Sequence, residues 1–137
     1  MTHVSLGAST MLHIENASVG GQPVLSIEGQ PSTGIFFVKA LIQGQDMALL
    51  EVRAASGVAS ALHAHSHESL IYVVSGSLRT TIGEEVFLLG PGDVCRHPSG
   101  VPHGVEVLED TVFVEVKSPP PELRHVFDSI VVTEASR

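Results

Sequence analysis

The sequence predicts an all-β fold, a barrel or sandwich of short strands. Three observations carry that expectation. The apolar residues lean toward β-branched types, which fit a pleated, half-buried surface. The chain is punctuated by 13 glycines and 8 prolines, the residues that turns require. Turn signals recur roughly every 8–10 residues through the second half, with little helical periodicity between them.

In chain order, residues 1–10 read as a loose start. MLHIENA (11–17) and PVLSIEG (23–29) read as short strands separated by the turn signal GGQP (20–23), with GQPSTG (29–34) a second turn. IFFVKALI (35–42) and MALLEVRAA (47–55) read as two further strands joined by QGQD (43–46). The segment 56–118 reads as about six strands, broken at SG (75–76), GEE (83–85), GPGD (90–93), PSG (98–100) and LED (108–110). The proline run in SPPPELRHVFDS (118–129) stops any strand, and Pro120 or Pro121 can open a short helical turn. IVVTE (130–134) reads as a last strand.

With 137 residues the chain has the length of one domain, expected to span 1–137, and can bury a core without staples. Its formal net charge is -8. Such a surface repels nucleic acid, whose binding begins with phosphate neutralisation, and disfavours anionic membranes. Cys95 is the single cysteine, so no intrachain disulfide forms. No secretory leader pattern and no apolar run near the ~20 residues of a membrane span are visible. The expectation is a cytoplasmic protein without a nucleic-acid or membrane partner.

His63 and His65 stand two apart, so in extended backbone both side chains face one side and reach a single ion. His103 follows PSGVP, a turn sequence that fixes the direction of the backbone before it. Three imidazoles from separate strands converge only inside a closed barrel, and imidazole suits Fe, Ni, Cu and Zn and is tolerated by Mn.

The spacing around these histidines resembles the cupin family. Gly57, five residues, His63, His65 and a closing Gly76 follow its first motif, and Gly92, Pro98, Gly100 and His103 fit its second. About 15 residues separate the two motifs, like the short spacer of microbial cupins. The resemblance covers 57–103, with strands on both sides, and implies a double-stranded β-helix, the jelly-roll barrel, with its core at about 35–118. It also implies one divalent transition metal (Fe, Mn, Ni or Zn) held by His63, His65 and His103. Small cupins generally pair as homodimers with terminal strands laid across the partner, a role that 11–17 and 35–42 would suit.

One position departs from the family. Its first-motif carboxylate should fall at Ser69 or Leu70. Glu68 comes one residue early and by strand parity points away unless a bulge turns it inward. His67 has the right parity for a fourth ligand, and Ser69 could hold a metal-bound water instead. Three neutral ligands leave the ion's charge uncompensated, which favours a small anionic ligand or hydroxide in the open positions. A site that has lost its metal is the alternative.

Other residues are candidates for the cavity. TVFVEVKSPP resembles the D-V-F-S-P-P ending of small cupins that act on uronate sugars. There Glu115 takes the place of an acidic catalytic residue, while Lys117 and Pro121 depart from an aromatic and an arginine. Tyr72 could donate a hydrogen bond to a ligand or serve as a core or rim aromatic. Arg53 and Lys39 could pair with a substrate carboxylate, or lie on the surface. Arg96 and His97 interrupt a strand that is apolar in many cupins. They point to opposite faces, so one enters the barrel or an interface. Cys95 shares the face of His97 and is read as a buried thiol.

Three functions fit. The first is a metal-dependent enzyme on a small oxygen-rich anion. It would be an isomerase or lyase with Glu115 shuttling a proton, or a three-histidine Fe(II) dioxygenase, since thiol dioxygenases of the same superfamily also replace the carboxylate. The second is a non-catalytic module that binds a small molecule or metal. The third is a structural cupin.

Overall fold

Alternation of side chains across a pleated strand explains the barrel. In the segment ALLEVRA, Ala48, Leu50, Val52 and Ala54 are buried, while the residues between them are half-buried or exposed. The computed structural model describes residues 11–120 and 130–131. A short 3₁₀ turn at Asn16–Ser18 comes first. Eight strands follow: β1 (Gln22–Ile27), β2 (Gln30–Gln43), β3 (Ala48–Ala54), β4 (Glu68–Ile82), β5 (Glu85–Leu89), β6 (Val94–His97), β7 (His103–Ser118) and β8 (Ile130–Val131). All pairings are antiparallel. The order is β5-β4-β7-β3-β2-β1-β8, with β6 also paired to β4. Among the described residues no helix is long and apolar enough to cross a membrane.

The turn chemistry sets the hairpins. Glu28 and Gly29 join β1 to β2 with φ of 53° and 75°, the doubly left-handed pair that a two-residue hairpin needs. The 43–46 turn joins β2 to β3, where the Gly44 amide donates to the Met47 carbonyl at 2.7 Å. After β5, the Asp93 carboxylate accepts from the Gly90 amide at 2.8 Å and closes the turn into β6.

The longest pairing is β4 with β7, which runs from Glu68↔Ser118 to Ile82↔His103. Its register shifts three times between Val73 and Leu78, and bulges of this kind bend and twist a ribbon. Gly76 sits in that bend with φ 87°. A Cβ there would lie 2.7 Å from the Thr111 Cα and against the Asp110 carbonyl, so only glycine fits. The inner faces pack a core that includes Val24, Phe36, Leu50, Val73, Leu78 and Phe113.

The structure corrects several boundaries read from sequence. The expected strand at 11–17 is absent; Asn16 instead caps the outside of the sheet, its amide donating to Glu51 at 2.9 Å and its oxygen accepting from Lys39 at 2.6 Å. β2 begins at Gln30, inside the turn read over 29–34, because the hairpin needs only two residues. The backbone of Thr33 also pairs reciprocally with Ala59. The 56–118 segment holds four strands rather than six: 75–76 and 108–110 are irregularities within β4 and β7, not breaks. Within the segment 35–42, for which an edge-covering role is expected, Phe36, Phe37 and Val38 pair with both β1 and β3, while Lys39, Ala40 and Ile42 pair with β3 alone among the described residues. Ile130 and Val131 form the short strand expected there, on β1. The expected helical turn from Pro121 and residues 132–134 lie outside the described residues.

Candidate metal centre

Residues 56–67 make only isolated bridges, yet they are stitched to β7 and to the turn before it. The amides of His63 and His103 donate to each other's carbonyls at 2.9 and 2.8 Å. The Gly100 amide donates to the His65 carbonyl at 2.8 Å, and the Ser99 hydroxyl to the Ser66 carbonyl at 2.8 Å. This pins the H-x-H segment to the P-x-G-x-x-H segment. The ring centroids of His63 lie 4.8 Å from those of His65 and 4.5 Å from those of His103, and His65 and His103 are 5.2 Å apart. One nitrogen from each lies within 4.8 Å of the others.

The hydrogen bonds of these rings decide what they offer. Each Nδ1 faces an atom that can only accept: His63 the Ala61 carbonyl at 2.7 Å, His65 the Glu28 carboxylate at 2.8 Å, and His103 the Val101 carbonyl at 3.1 Å. The proton of each neutral ring is therefore on Nδ1, and the lone pair is on Nε2. Burial lowers the pKa of all three, that of His103 to about 3, so they are neutral at neutral pH. Three outward-anchored imidazoles with free Nε2 lone pairs form a donor set that fits a divalent transition ion.

A model of the cupin domain matches residues 50–116. The chain belongs to the cupin superfamily. Oxalate decarboxylase OxdC of Bacillus subtilis (strain 168) is 32% identical over 78 residues, which cover 53% of this chain and only 20% of that protein. The chain thus spans about a fifth of that relative's length. KdgF from a Halomonas species superposes with a TM-score of 0.67 at 24% identity, over 80% of this chain and 94% of that one. A predicted oxalate decarboxylase from Thermotoga maritima gives a TM-score of 0.69 at 17% identity, over 79% and 99%. At these identities the two structures establish the fold.

This cupin carries no carboxylate at the fourth position of the motif. Glu68 lies on the opposite face and pairs with Arg96 at 2.7 Å, and Leu70 is exposed outside. Ser69 is buried, but its hydroxyl is taken by Lys117 at 3.4 Å and by Glu115, and it does not line the cavity. A role for Ser69 as holder of a metal-bound water is not supported by that placement. His67 stacks on His65 at 4.4 Å, but its Nε2 accepts from Lys117 Nζ at 3.0 Å. That lone pair is used, so His67 stands outside the ligand group.

Glu115 lines a cavity of about 520 Å³ together with the histidines and Lys117. Its carboxylate is 3.1 Å from Lys117 Nζ. Burial opposes its charge, yet the adjacent ammonium outweighs burial and holds its pKa at about 2. Glu115 is therefore the counter-ion of Lys117, and a carboxylate this acidic is a poor proton shuttle. Tyr72 is not brought to the cavity. It alternates with buried Ile71 and Val73 and is half-exposed on the outer face. Arg53 is likewise outside, on Glu51 at 3.2 Å, and Lys39 is held by Asn16.

Three residues of the site carried little or no signal in the sequence. Glu28 reaches His65 from a hairpin turn far upstream, and no spacing rule connects them. Of the pair Arg96 and His97, His97 is the one that enters the barrel, 2% exposed. Thr80 has one hydroxyl proton, which it gives to the Gly104 carbonyl at 3.1 Å, so His97 Nε2–H donates to Thr80 at 2.9 Å. The His97 ring stacks on His103 at 4.1 Å, and burial lowers its pKa to about 4. Cys95 lies 3.7 Å from His97. Burial and the charge of Glu115 push its thiol up to about 11, so it stays protonated.

Two outcomes are expected. Glu28→Ala removes the acceptor that orients His65 and weakens affinity for Zn²⁺ by about 10–100-fold in chelator competition; unchanged affinity would show that the contact is incidental. The metal-free protein loses stability in acid. His67, His97 and His103 have folded pKa values near 3, 4 and 3 against an ordinary 6.5. Below 6.5 the unfolded chain therefore binds more protons. Their contribution is complete above about pH 6.5, drains as pH falls below it, and is gone once the folded rings protonate at about 4 to 3. Glu115, lowered from 4.5 to about 2, acts in the same sense below 4.5. Thermal midpoints of metal-free protein should fall steadily from neutral pH towards pH 4, and a flat profile would contradict neutral buried imidazoles.

Proposed function

We propose that this cupin is a metal-dependent enzyme acting on a small oxygen-rich anion, with His63, His65 and His103 holding one divalent transition ion (Fe, Mn, Ni or Zn). The observation that carries the reading is the set of three Nδ1–H groups tied outward, which leaves three Nε2 lone pairs free. A bound ion supplies Lewis acidity toward a ligand oxygen, and iron adds chemistry with dioxygen.

The charges of the cavity support an anion. Lys117 and Glu115 cancel, the histidines are neutral, and Glu28 contributes one negative charge against the +2 of an ion. The balance is +1, in a cavity where desolvation strengthens attraction for an anion. The name of the Bacillus subtilis relative refers to oxalate, a dianion of the class proposed. The protein's own residues bind and orient: Glu28 holds His65, while His97 packs against His103 and is itself anchored by Thr80.

Two routes remain, metal-assisted proton transfer in an isomerase or lyase, and Fe(II) oxygen chemistry. Activity with Zn or Mn under anaerobic conditions marks the first, and iron-dependent oxygen uptake the second. A non-catalytic binding module is the second reading. It is favoured by the locking of Glu115 in an ion pair, which removes the expected proton carrier.

Elemental analysis of protein purified without added metal tests the site. Near-stoichiometric metal is expected in the parent and its loss in His63→Ala and His103→Ala. Equal metal content in the variants removes the site.

We further propose a homodimer. Leu70, Tyr72, Val74 and Val94 are 51%, 51%, 49% and 67% exposed. Leu70 and Tyr72 pair with Arg96 and Val94 on the adjacent strand, which leaves an outer face on β4 and β6 that is apolar beside the Glu68–Arg96 ion pair. Sedimentation should give a dimer mass for the parent and a monomer mass for Tyr72→Glu. A monomeric parent refutes the assignment.

A further inference from the structure

We propose that His67 is a ligand-contacting hydrogen-bond donor, its Nδ1–H fixed by Lys117 and directed to an oxygen of the anion in the cavity. The inference rests on the anion reading above and deepens it.

The argument begins at Lys117. Its side chain is 6% exposed. Its ammonium has three N–H groups and no lone pair, and three acceptors surround it: Glu115 Oε2 at 3.1 Å, His67 Nε2 at 3.0 Å and Ser69 Oγ at 3.4 Å. Lys117 is thus saturated and offers no N–H to a ligand. What it does is set the tautomer of His67. An imidazole nitrogen facing an ammonium must accept, so the single proton of the neutral ring is on Nδ1.

That donor is free. His67 Nδ1 has no partner among the described residues. The one buried, unpartnered side-chain polar atom among them is Gln43 Oε1, so the His67 Nδ1–H is open rather than sealed. The ring lines the cavity and lies nearly parallel to His65, at 16° and 4.4 Å. The donor is therefore carried beside a residue of the metal set by a ring that cannot easily turn. The three metal-site rings spend their Nδ1–H on the protein and keep Nε2 for the cavity. His67 is wired in the opposite sense, with Nε2 spent on the protein and Nδ1–H left over. A neutral, pre-oriented donor gains most when negative charge sits on the oxygen it faces. The matching ligand is a carboxylate or enolate oxygen.

Two measurements test this. In ¹⁵N-labelled metal-free protein, long-range ¹H–¹⁵N correlation should find His67 protonated on Nδ1. Lys117→Met, or Lys117→Met with Glu115→Gln if the single variant fails to fold, should release that preference. A proton on Nε2 in the parent overturns the proposal whether or not metal binds.

The second is calorimetric titration of the zinc-loaded protein with oxalate. An Asn amide N–H falls near the position of Nδ1–H and a Gln amide near Nε2. His67→Gln and His67→Phe should weaken oxalate roughly tenfold or more, the worth of a hydrogen bond to a charged group. His67→Asn should stay much closer to the parent. Equal losses in all three variants at unchanged zinc content overturn the proposal. Failure of the parent to retain zinc defeats the metal reading, and the tautomer measurement then decides the proposal alone. Zinc-loaded parent that ignores oxalate overturns the anion assignment.

Discussion

The antiparallel pairing of β4 with β7 is the constraint on which the rest depends. It runs the full length of both strands, from Glu68↔Ser118 to Ile82↔His103, and bends where the register shifts between Val73 and Leu78. One end of the ribbon presents Ser69, Glu115 and Lys117, and the other presents Thr80 and His103. Without the bend these groups would be spread along a flat sheet. With it, Thr80 meets His97, which itself pairs with Ser69 at the far end of β4. Gly76 makes the bend sterically feasible, because Thr111 and the Asp110 carbonyl occupy the space of any side chain.

On this frame the site is organised by proton positions. Carbonyls of Ala61 and Val101 and the carboxylate of Glu28 each accept from an Nδ1, and the direction of three rings follows. The negative charge that cupins place in the ligand set is here one residue removed, on the far side of His65. At the vacated motif position, Ser69 supports the Lys117–Glu115 pair instead. Breaking such a buried pair by removing one partner is costly, because it strands a charge away from water.

Much of the barrel and the three histidines were legible in the chain. Spaced glycines, the H-x-H pair and P-x-G-x-x-H are local patterns, and local patterns survive reading one residue at a time. Parity was also readable: Glu68 does point away, and Arg96 and His97 do face opposite sides. Longer-range effects were not. Glu28 enters through a hairpin turn whose tertiary neighbour no spacing rule names. Tyr72 lies outside because Ile71 and Val73 take the inner face. Glu115, a candidate for the cavity, does line it, but its chemistry is fixed by Lys117, and an ion pair on one strand face gives no hint of burial. The breaks expected at 75–76 and 108–110 turned out to be bulges, since Ser–Gly and Glu–Asp pairs are equally at home in a turn and in a kinked strand.

β5 ends the sheet at one side. Val86, Phe87 and Leu88 are exposed along it, and its outer backbone has no neighbour among the described residues. Such a strand is a template for another chain's backbone. Glu84 and Glu85, at the turn of that hairpin, place like charges where a second copy would dock, and the -8 formal charge adds general repulsion. Acidification toward the isoelectric point, near 5.3, removes the general repulsion. Colloidal stability at that pH is therefore governed by this edge, independently of anything bound in the barrel.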